Sequence, residues 1–306
     1  MQNAQSVRKR EISERRPINL LNSGTSMTIS VKIIEDSISK KNVRLTTLQL
    51  MYPRFIHSEF LTHRVFSRNA SSSRAIPVAK MIEQVRTDPA MPIHWGSNKP
   101  GMQAGGELTG KALERAKELW LMAAQYAADC ADEMQNKDTT LHKQVANRIL
   151  EPFQWIHVIV TATEWNNFFE LRIHPDAQPE IHELALQIKA AMDASVPILL
   201  KNNEWHLPYV TDIDRSNVRA MNLDSSTLRK ISAARCARVS YLTHDGQEPD
   251  IDKDLALYDR LITMKPAHAS PIEHQATPDN SKEYAYLQGN FTGWVQFRKL
   301  VEQGLL

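Results

Sequence analysis

Apolar residues along the chain follow two periodicities, and the shorter one predicts strands. Residues 27–34 and 43–50 are rich in apolar and β-branched side chains, and the second run stops at Pro53. Runs of this composition that end at a turn residue are typical of strands. Residues 155–163 are also mostly apolar, a pattern that fits either a buried strand or a buried helix segment. The sequence thus predicts two strands near its beginning, and the third segment has two interpretations.

The longer periodicity predicts helices. Between residues 107 and 134, apolar side chains recur every three or four positions, which indicates a long amphipathic helix. Residues 87–106 contain three prolines and four glycines and predict a loop. Because proline disrupts a helix interior, the helix predicted at 141–150 should end before Pro152. Shorter segments with helical spacing are 55–64, 75–85, 141–150, 180–194, 228–239 and 252–264.

Composition and charge narrow the class of protein. The chain has 306 residues and a formal net charge of +2, so no strong positive field favours a stable nucleic-acid partner. No apolar run approaches the ~20 residues that cross a bilayer, and the polar residues 1–26 predict a flexible basic arm without the apolar stretch of a signal peptide. Cys130 and Cys236 lack zinc-ligand spacing, which predicts no metal site and a reducing, cytoplasmic location. We expect a single catalytic domain over residues 27–306.

Residues 62–74 carry the densest polar chemistry of the chain. They contain three arginines, one histidine, four serines and one asparagine within thirteen residues. Guanidinium groups pair with phosphate through two parallel hydrogen bonds, so this segment suits a nucleotide or a pyrophosphate. A solvated basic loop has the same composition, and only the order of the residues distinguishes the two interpretations.

That order, H-R-x-x-S-x-N-x-x-S-x-R, resembles the signature of the flavin-dependent thymidylate synthases, R-H-R-x-x-S-x-N-E-x-S-x-R. Two later segments resemble further elements of the same family. Residues 145–152 are similar to its V-A-R-x-x-L-P element. Residues 166–181 are similar to its N-F-x-x-L-R-x-x-x-x-A-Q-x-E-I element, which is longer and more specific.

The remaining similar segments stand in an unusual order. Residues 237–240, A-R-V-S, resemble a segment that normally opens the family's chains. Residues 268–274, H-A-S-P-I-E-H, resemble its H-x-T-P-F-E-H element, and the D-x-x-L-I helix expected before it matches 259–262. The order is therefore similar to a circular permutation, with a signature part at 27–200 and a permuted part at 227–306. Permutation is tolerated where the ancestral termini lie close together.

The resemblance implies a role for each matching residue. Arg172 and Ser72 would be catalytic, with Arg172 near the pyrimidine ring and Ser72 next to the reacting carbon. Arg74 would bind the phosphate, and Arg148 and Glu59 fall on further nucleotide-binding positions. The positions that contact the flavin in the family correspond to His63, Arg64, Ser67, Asn69, Asn167, Ser240, His268 and Ser270.

The resemblance also implies a fold and an activity. The fold would be α+β, with a central, mostly antiparallel sheet flanked by helices and a long helical segment, assembled as a homotetramer. The activity would be FAD-dependent reductive methylation of dUMP to dTMP, with methylenetetrahydrofolate as the carbon donor and NADPH as the reductant. Hydroxymethylation, or the use of another deoxypyrimidine monophosphate such as dCMP, is the nearest alternative.

A non-catalytic nucleotide-binding protein would keep the same arginines and is the alternative from another class. Taken alone, Arg148 fits a surface helix arginine, and Arg172 fits a salt bridge to Glu170 or Asp176. Two aromatic-rich segments, 203–209 and 289–299, fit either stacking on a pterin, flavin or base, or packing of loops against the core.

Several positions depart from the family pattern. Thr62 replaces the first arginine of R-H-R, Ala70 replaces a glutamate, and Ala75 replaces an aromatic residue. Glu59 stands where the family usually has glutamine. A carboxylate there could accept a hydrogen bond from the exocyclic amine of cytosine, which uracil lacks. These departures motivate the dCMP alternative, although dUMP remains the expected substrate.

Overall fold

The structure, a computed structural model, describes residues 27–240, 250–279 and 282–305, so the predicted arm at 1–26 lies outside the described residues. Its strands are β1 (Ser30–Ser39), β2 (Arg44–Pro53), β3 (Ser67–Ala70), β4 (Trp155–Ala162), β5 (Ile198–Leu200), β6 (Ala276–Pro278) and β7 (Trp294–Gln296). Its helices are α1 (His57–Leu61), α2 (Val78–Thr87), α3 (Gly110–Glu133), α4 (Lys143–Ala146), α5 (Asn166–Arg172), α6 (Pro179–Ala194), α7 (Asp212–Ala220), α8 (Thr227–Ala237), α9 (Ile251–Thr263) and α10 (Phe297–Glu302). Short 3-10 helices lie at Arg54–Ile56, Asn147–Phe153, Arg238–Ser240, Ser270–Glu273 and Lys282–Leu287.

Five strands form one sheet in the order β3-β4-β2-β1-β5. Neighbouring strands are antiparallel except β1 and β5, which run parallel. The protein is therefore α+β with a mostly antiparallel sheet, which confirms the predicted fold class. Residues 155–162 form a strand, because β2 and β3 pair with β4 on its two sides. Strands β6 and β7 form a separate antiparallel pair.

One face of the sheet packs against helices α5 and α6. Successive side chains of a strand point to opposite faces, so alternate residues of β2 and β4, such as Leu48 and Val158, lie on this side. They form an apolar core with Phe168 of α5 and with Leu184 and Ile188 of α6. All five side chains are buried, and each contributes about 1.5–3 kcal/mol to folding by leaving water.

The opposite face carries polar side chains and is covered by the last third of the chain. Ser37, Thr47 and Thr161 project from β1, β2 and β4 and are joined through two histidines. His206 lies 2.9 Å from the Ser37 hydroxyl and 2.7 Å from the Thr47 hydroxyl. The Thr47 and Thr161 hydroxyls are 2.6 Å apart, and the Thr161 hydroxyl lies 2.8 Å from Nδ1 of His274. We call these five buried residues the Ser37–His274 chain.

A second core lies beside the sheet, where α2 and α3 pack on the 3-10 helix Asn147–Phe153 through Val85, Ala128 and Leu150. Here the prediction of one helix over 141–150 was wrong. The α-helical geometry ends at Ala146, and a 3-10 helix continues through Pro152. Proline cannot donate a backbone hydrogen bond and clashes with the carbonyl four residues earlier, so α geometry cannot extend to it. No helix among the described residues is long and apolar enough to span a membrane.

Arg235 of α8 lies at the centre of a buried ion cluster. Its guanidinium pairs with Asp214 of α7 at 2.7 Å and with Asp254 of α9 at 2.8 Å. Arg238 pairs with Asp254 as well. Burial raises the pKa of Asp214, but the hydrogen bonds from Arg235 and Thr211 outweigh it and hold this pKa at about 2. The cluster joins helices α7, α8 and α9.

We expect Arg235→Ala to lower the free energy of unfolding by about 3–5 kcal/mol, because it leaves the buried Asp214 carboxylate without its cation and Asp254 with Arg238 alone. The measurement is urea denaturation at neutral pH. Arg115→Ala is the control, because Arg115 is an exposed helix residue paired only with Glu118, three residues away. That substitution should cost about 0.5 kcal/mol. Equal stability of the two variants would show that the cluster is not stabilising.

Candidate active site

The end of α1 and the end of α5 bring three predicted or variant positions of the site together around Arg172. The Nε atom of Arg172 lies 3.0 Å from Nε2 of His63. One terminal nitrogen lies 3.1 Å from the Glu59 carboxylate, and the other lies 3.1 Å from the Thr62 hydroxyl. We call Glu59, Thr62, His63 and Arg172 the Arg172 cluster. Arg172 is more than a hundred residues away in sequence from the other three members, so the fold assembles the cluster.

The partner of Arg172 differs from the one expected for an ordinary surface residue. Neither Glu170 nor Asp176 pairs with it, and Glu59 does. Thr62 takes the place of an arginine in the family signature, and its hydroxyl accepts a hydrogen bond from Arg172. A second guanidinium at this position would face Arg172 at close range. The changes at 59 and 62 therefore act together: one adds a negative charge beside Arg172, and the other removes a positive charge.

His63 is almost fully buried, with 6% of its surface exposed, and its ring contacts two aromatic residues. The ring stacks on Phe66 at 5.7 Å and meets Phe168 edge-on at 4.9 Å. Burial, followed by the positive charges of Arg172 and Arg68, lowers the pKa of His63 to about 4. The ring is thus neutral at neutral pH. Because a guanidinium only donates, Nε2 must accept, and the ring proton resides on Nδ1.

Two further predicted flavin residues lie on β3 and hold the permuted part in place. The Ser67 hydroxyl donates to the Asn290 side chain at 3.2 Å and accepts from Gln296 at 3.3 Å. The Asn69 amide donates to the Cys236 carbonyl at 3.4 Å. These contacts tie the signature to the segments before 240 and after 289 within one chain. The 289–299 segment therefore packs against the signature strand.

The second permuted element also packs on the sheet. His274, which ends the H-A-S-P-I-E-H segment, belongs to the Ser37–His274 chain, and Gln296 donates to the Glu273 carbonyl at 3.0 Å. The Nε2 atom of His274 is buried and has no partner among the residues that the structure describes. Ser270 is half-buried and His268 is exposed. Ser240 ends its 3-10 helix, and its side chain lies outside the described part of the chain.

Other predicted site residues present unused donors. The side chains of Arg64, Arg74 and Asn167 are exposed and form no hydrogen bond or ion pair with any described residue. Two guanidinium groups and an amide with free donors suit the pyrophosphate of a dinucleotide and the phosphate of a nucleotide. Together with the orphan Nε2 of His274, this donor set fits the flavin and nucleotide that the resemblance implies. Ser72, between Arg64 and Arg74, is half-buried.

Arg148 lies in a second charged group that sequence reasoning missed. It pairs with Glu151 at 2.8 Å, and this carboxylate also pairs with Arg54 at 3.0 Å. The Ser73 hydroxyl donates to the same carboxylate at 2.7 Å. The expected nucleotide arginine is therefore engaged by its own helix. Glu151 precedes Pro152 and Arg54 follows Pro53 in the sequence, and neither position indicates locally that the two side chains pair.

A comparison with protein families shows the family to which the chain belongs. A family model described as thymidylate synthase complementing protein matches residues 43–198, just over half of the chain. The chain belongs to this family. The match includes 62–74, 145–152 and 166–181. The two permuted segments, 237–240 and 268–274, lie beyond its end, so their resemblance rests on the residues quoted above.

Solved structures add similarities of lower strength. A UMP/dUMP methylase PolB from Streptomyces cacaoi bound with 5-Br UMP is 18% identical, with a TM-score of 0.46, over 55% of this chain and 89% of the other. The same methylase bound with 5-Br dUMP is 15% identical, with a TM-score of 0.43, over 55% of this chain and 90% of the other. Both TM-scores are below 0.5, so neither similarity defines the activity of this chain. A comparison with curated proteins gives no match.

We expect the pKa of His63 to be near 4, so its ring should not titrate between pH 5.5 and 8. The measurement is histidine ring NMR, with His63→Gln identifying the signals. Arg172→Ala should raise this pKa, because it removes a positive charge and a donor to the neutral ring. The value should stay below 6.5, since burial is the largest cause of the shift. A wild-type midpoint near 6.5 would contradict this account of the cluster.

Proposed function

We propose that the protein catalyses reductive methylation at C5 of a deoxypyrimidine monophosphate, converting dUMP to dTMP. The proposal rests on one observation above all: a member of the thymidylate synthase complementing protein family brings Arg172, Glu59, Thr62 and His63 into one cluster. Arg64 and Arg74 of the same signature, which pair with no residue in the described ranges, support it. A binding protein without activity has less need of a buried, neutral histidine beside the arginine.

The charge of each side chain would determine its role in the reaction. Arg74 would bind the nucleotide phosphate, and Arg148 would assist if the nucleotide displaces its guanidinium from Glu151. Arg172 would face the pyrimidine carbonyls, where negative charge develops as C5 gains a carbon. His63, Glu59 and Thr62 hold its guanidinium in one orientation, so little reorganisation is required during the reaction. Ser72 would lie beside the reacting carbon as a hydrogen-bonding residue and not as a nucleophile.

The donor set supports cofactor binding at the same site. His63, Arg64, Ser67, Asn69, Asn167, Ser240, His268 and Ser270 would hold FAD, with Arg64 suited to its pyrophosphate. In this chemistry FAD supplies hydride, methylenetetrahydrofolate supplies the carbon, and NADPH restores the reduced flavin. Ser67 and Asn69 already bond within the chain, so in an intact subunit they would shape the site more than donate to it. A homotetramer, in which several subunits complete each site, is part of the proposal.

The second candidate is methylation or hydroxymethylation of dCMP. Glu59 motivates it, because a carboxylate can accept a hydrogen bond from the cytosine amine and would repel the uracil carbonyl. In the structure this carboxylate pairs with Arg172, which favours dUMP because the charge is already used.

We expect Arg172→Ala to lower turnover of dUMP by about a hundred- to a thousandfold, the usual cost of one preoriented charge contact at a developing anion. The assay measures dTMP by mass while flavin absorbance reports cofactor binding. Arg115→Ala, far from the signature in sequence and exposed, should retain normal turnover. Near-normal turnover of Arg172→Ala would remove Arg172 from the mechanism. A colourless protein that binds no added FAD would remove the flavin.

We expect the wild type and Glu59→Gln both to prefer dUMP over dCMP by at least ~100-fold, because polar mismatches in a buried site discriminate strongly. The measurement is competitive turnover of the two nucleotides, with product mass separating methyl from hydroxymethyl. Glu59→Asp keeps the charge and serves as the control. A wild type that prefers dCMP, together with a glutamine variant that prefers dUMP, would establish the second candidate.

A further inference from the structure

A cavity of about 1260 Å³ lies at the edge of the sheet opposite the signature. Strand β5 and the segment after it form one side, and residues of α7, α8 and the C-terminal end form the other. In the sheet, β3 of the signature and β5 are the two outer strands. Four strand spacings of about 4.8 Å separate them, roughly 19 Å. No predicted nucleotide or flavin residue lines this cavity.

Two arginines of the lining lack an anionic partner. Arg215 of α7 and Arg229 of α8 form no ion pair or hydrogen bond through their side chains in the described part of the chain. The Nε atom of Arg229 is buried without an acceptor. A buried donor without an acceptor is costly, so an external acceptor would stabilise it. A cavity with two such guanidinium groups attracts an anion.

Aromatic rings fix the position of one of these charges. The Arg229 guanidinium lies 4.6 Å from the ring centre of Trp205 and 5.7 Å from that of Phe297. Cation–π contacts of this length hold the guanidinium without neutralising it. Trp205 comes from the 203–209 segment that the sequence marked for either stacking or packing. Its ring packs against Phe297, which it meets edge-on at 6.0 Å, and it also lines the cavity.

The carboxyl groups of the lining have other partners or carry reduced charge; Asp279 accepts a hydrogen bond from the Gln288 amide at 2.5 Å. Glu204 accepts a hydrogen bond from the Lys201 backbone at 2.7 Å, within its own turn. Glu35 of β1 is not within ion-pair distance of Arg215. The positive charge of Arg215 still lowers the pKa of Glu35 and so opposes the effect of burial. Burial, opposed by Arg215 and assisted by Asp36, raises the pKa of Glu35 to about 7. Much of the Glu35 population is therefore uncharged at neutral pH.

Apolar residues complete the cavity and define the rest of the ligand. Leu200, Leu207, Leu228 and Val295 line it together with Trp205. Sites for organic ligands combine mostly apolar walls with a few convergent polar groups. We propose that this cavity binds a small organic anion with a flat apolar body, whose phosphate or carboxylate pairs with Arg215 and Arg229 and whose body lies against Trp205. The site goes beyond the proposed methylation and does not depend on it.

The test uses 8-anilinonaphthalene-1-sulfonate, a flat organic anion whose fluorescence reports binding, on the full-length protein. Arg215→Gln should weaken its binding about tenfold or more, because one charge-assisted contact is lost. Arg219→Gln is the matched control, because this arginine is exposed on the same helix and does not line the cavity. Arg74→Ala should also leave binding unchanged, since Arg74 belongs to the signature.

Two competitors distinguish the sources of the anion. Displacement of the probe by dTMP would indicate a phosphate ligand, and displacement by 4-aminobenzoate would indicate a carboxylate ligand. Arg229→Lys, which keeps the charge but changes the stacked group, gives a second variant that should weaken binding and remain folded. Equal probe affinity in Arg215→Gln, Arg229→Lys and Arg219→Gln would overturn the proposal. Loss of binding in Arg74→Ala alone would place the probe at the signature and would also overturn it.

Discussion

The Ser37–His274 chain is the interaction on which the rest of the structure depends. Three hydroxyls on adjacent strands face inward, where each would be costly without a partner. His206 and His274 supply partners from the part of the chain that follows residue 198. Burial lowers the pKa of both histidines to about 3, so the hydrogen bonds join neutral groups and do not change with pH in the physiological range. One face of the sheet therefore requires residues beyond the family match.

The position of the signature follows from this constraint. Because the permuted part covers the polar face, β3 lies between two packed layers, and Ser67 and Asn69 bond to it. The residues before β3 lie against α5, where His63 and Phe66 contact Phe168 and His63 also contacts Arg172. The site is thus built between a helix of the matched region and a strand held by the unmatched region. This explains why side chains so far apart in sequence meet at 3 Å.

The helices and strands could be predicted from the sequence better than the contacts between side chains. The long helix near 107–134 and the helix near 180–194 were correct because each buries one face of an amphipathic pattern. Strand β4 could not be distinguished from a helix, since Val158 and Thr161 lie on opposite faces that are both buried. Strand β3 was missed because its polar side chains face a polar interior. Alternating apolar and polar residues indicate a strand only when one face of the strand is buried and the other is exposed to water.

The periodicity of apolar residues could not predict which side chains of the site contact each other. Glu59 and Arg172 were each assigned to a nucleotide, and nothing local indicated that they would pair with each other. Glu151 was missed for a similar reason, since its three partners come from 54, 73 and 148. Family signatures record which residue types recur. They do not show that the negative charge of Glu59 and the uncharged Thr62 compensate for each other beside Arg172.

The order of the segments also has a consequence for how the chain reaches its native state. Residues of the early strands bond to partners that are synthesised much later. Thr47 bonds to His206 across 159 residues, and the indole of Trp294 bonds to the Val43 carbonyl across 251. Contacts this distant in sequence slow folding. During synthesis at about 5–20 residues per second, the polar face of the sheet stays uncovered until nearly the whole chain has left the ribosome. Because Val43 and Thr47 bond to Trp294 and His206, this face of the sheet is completed only after residue 294 has been synthesised.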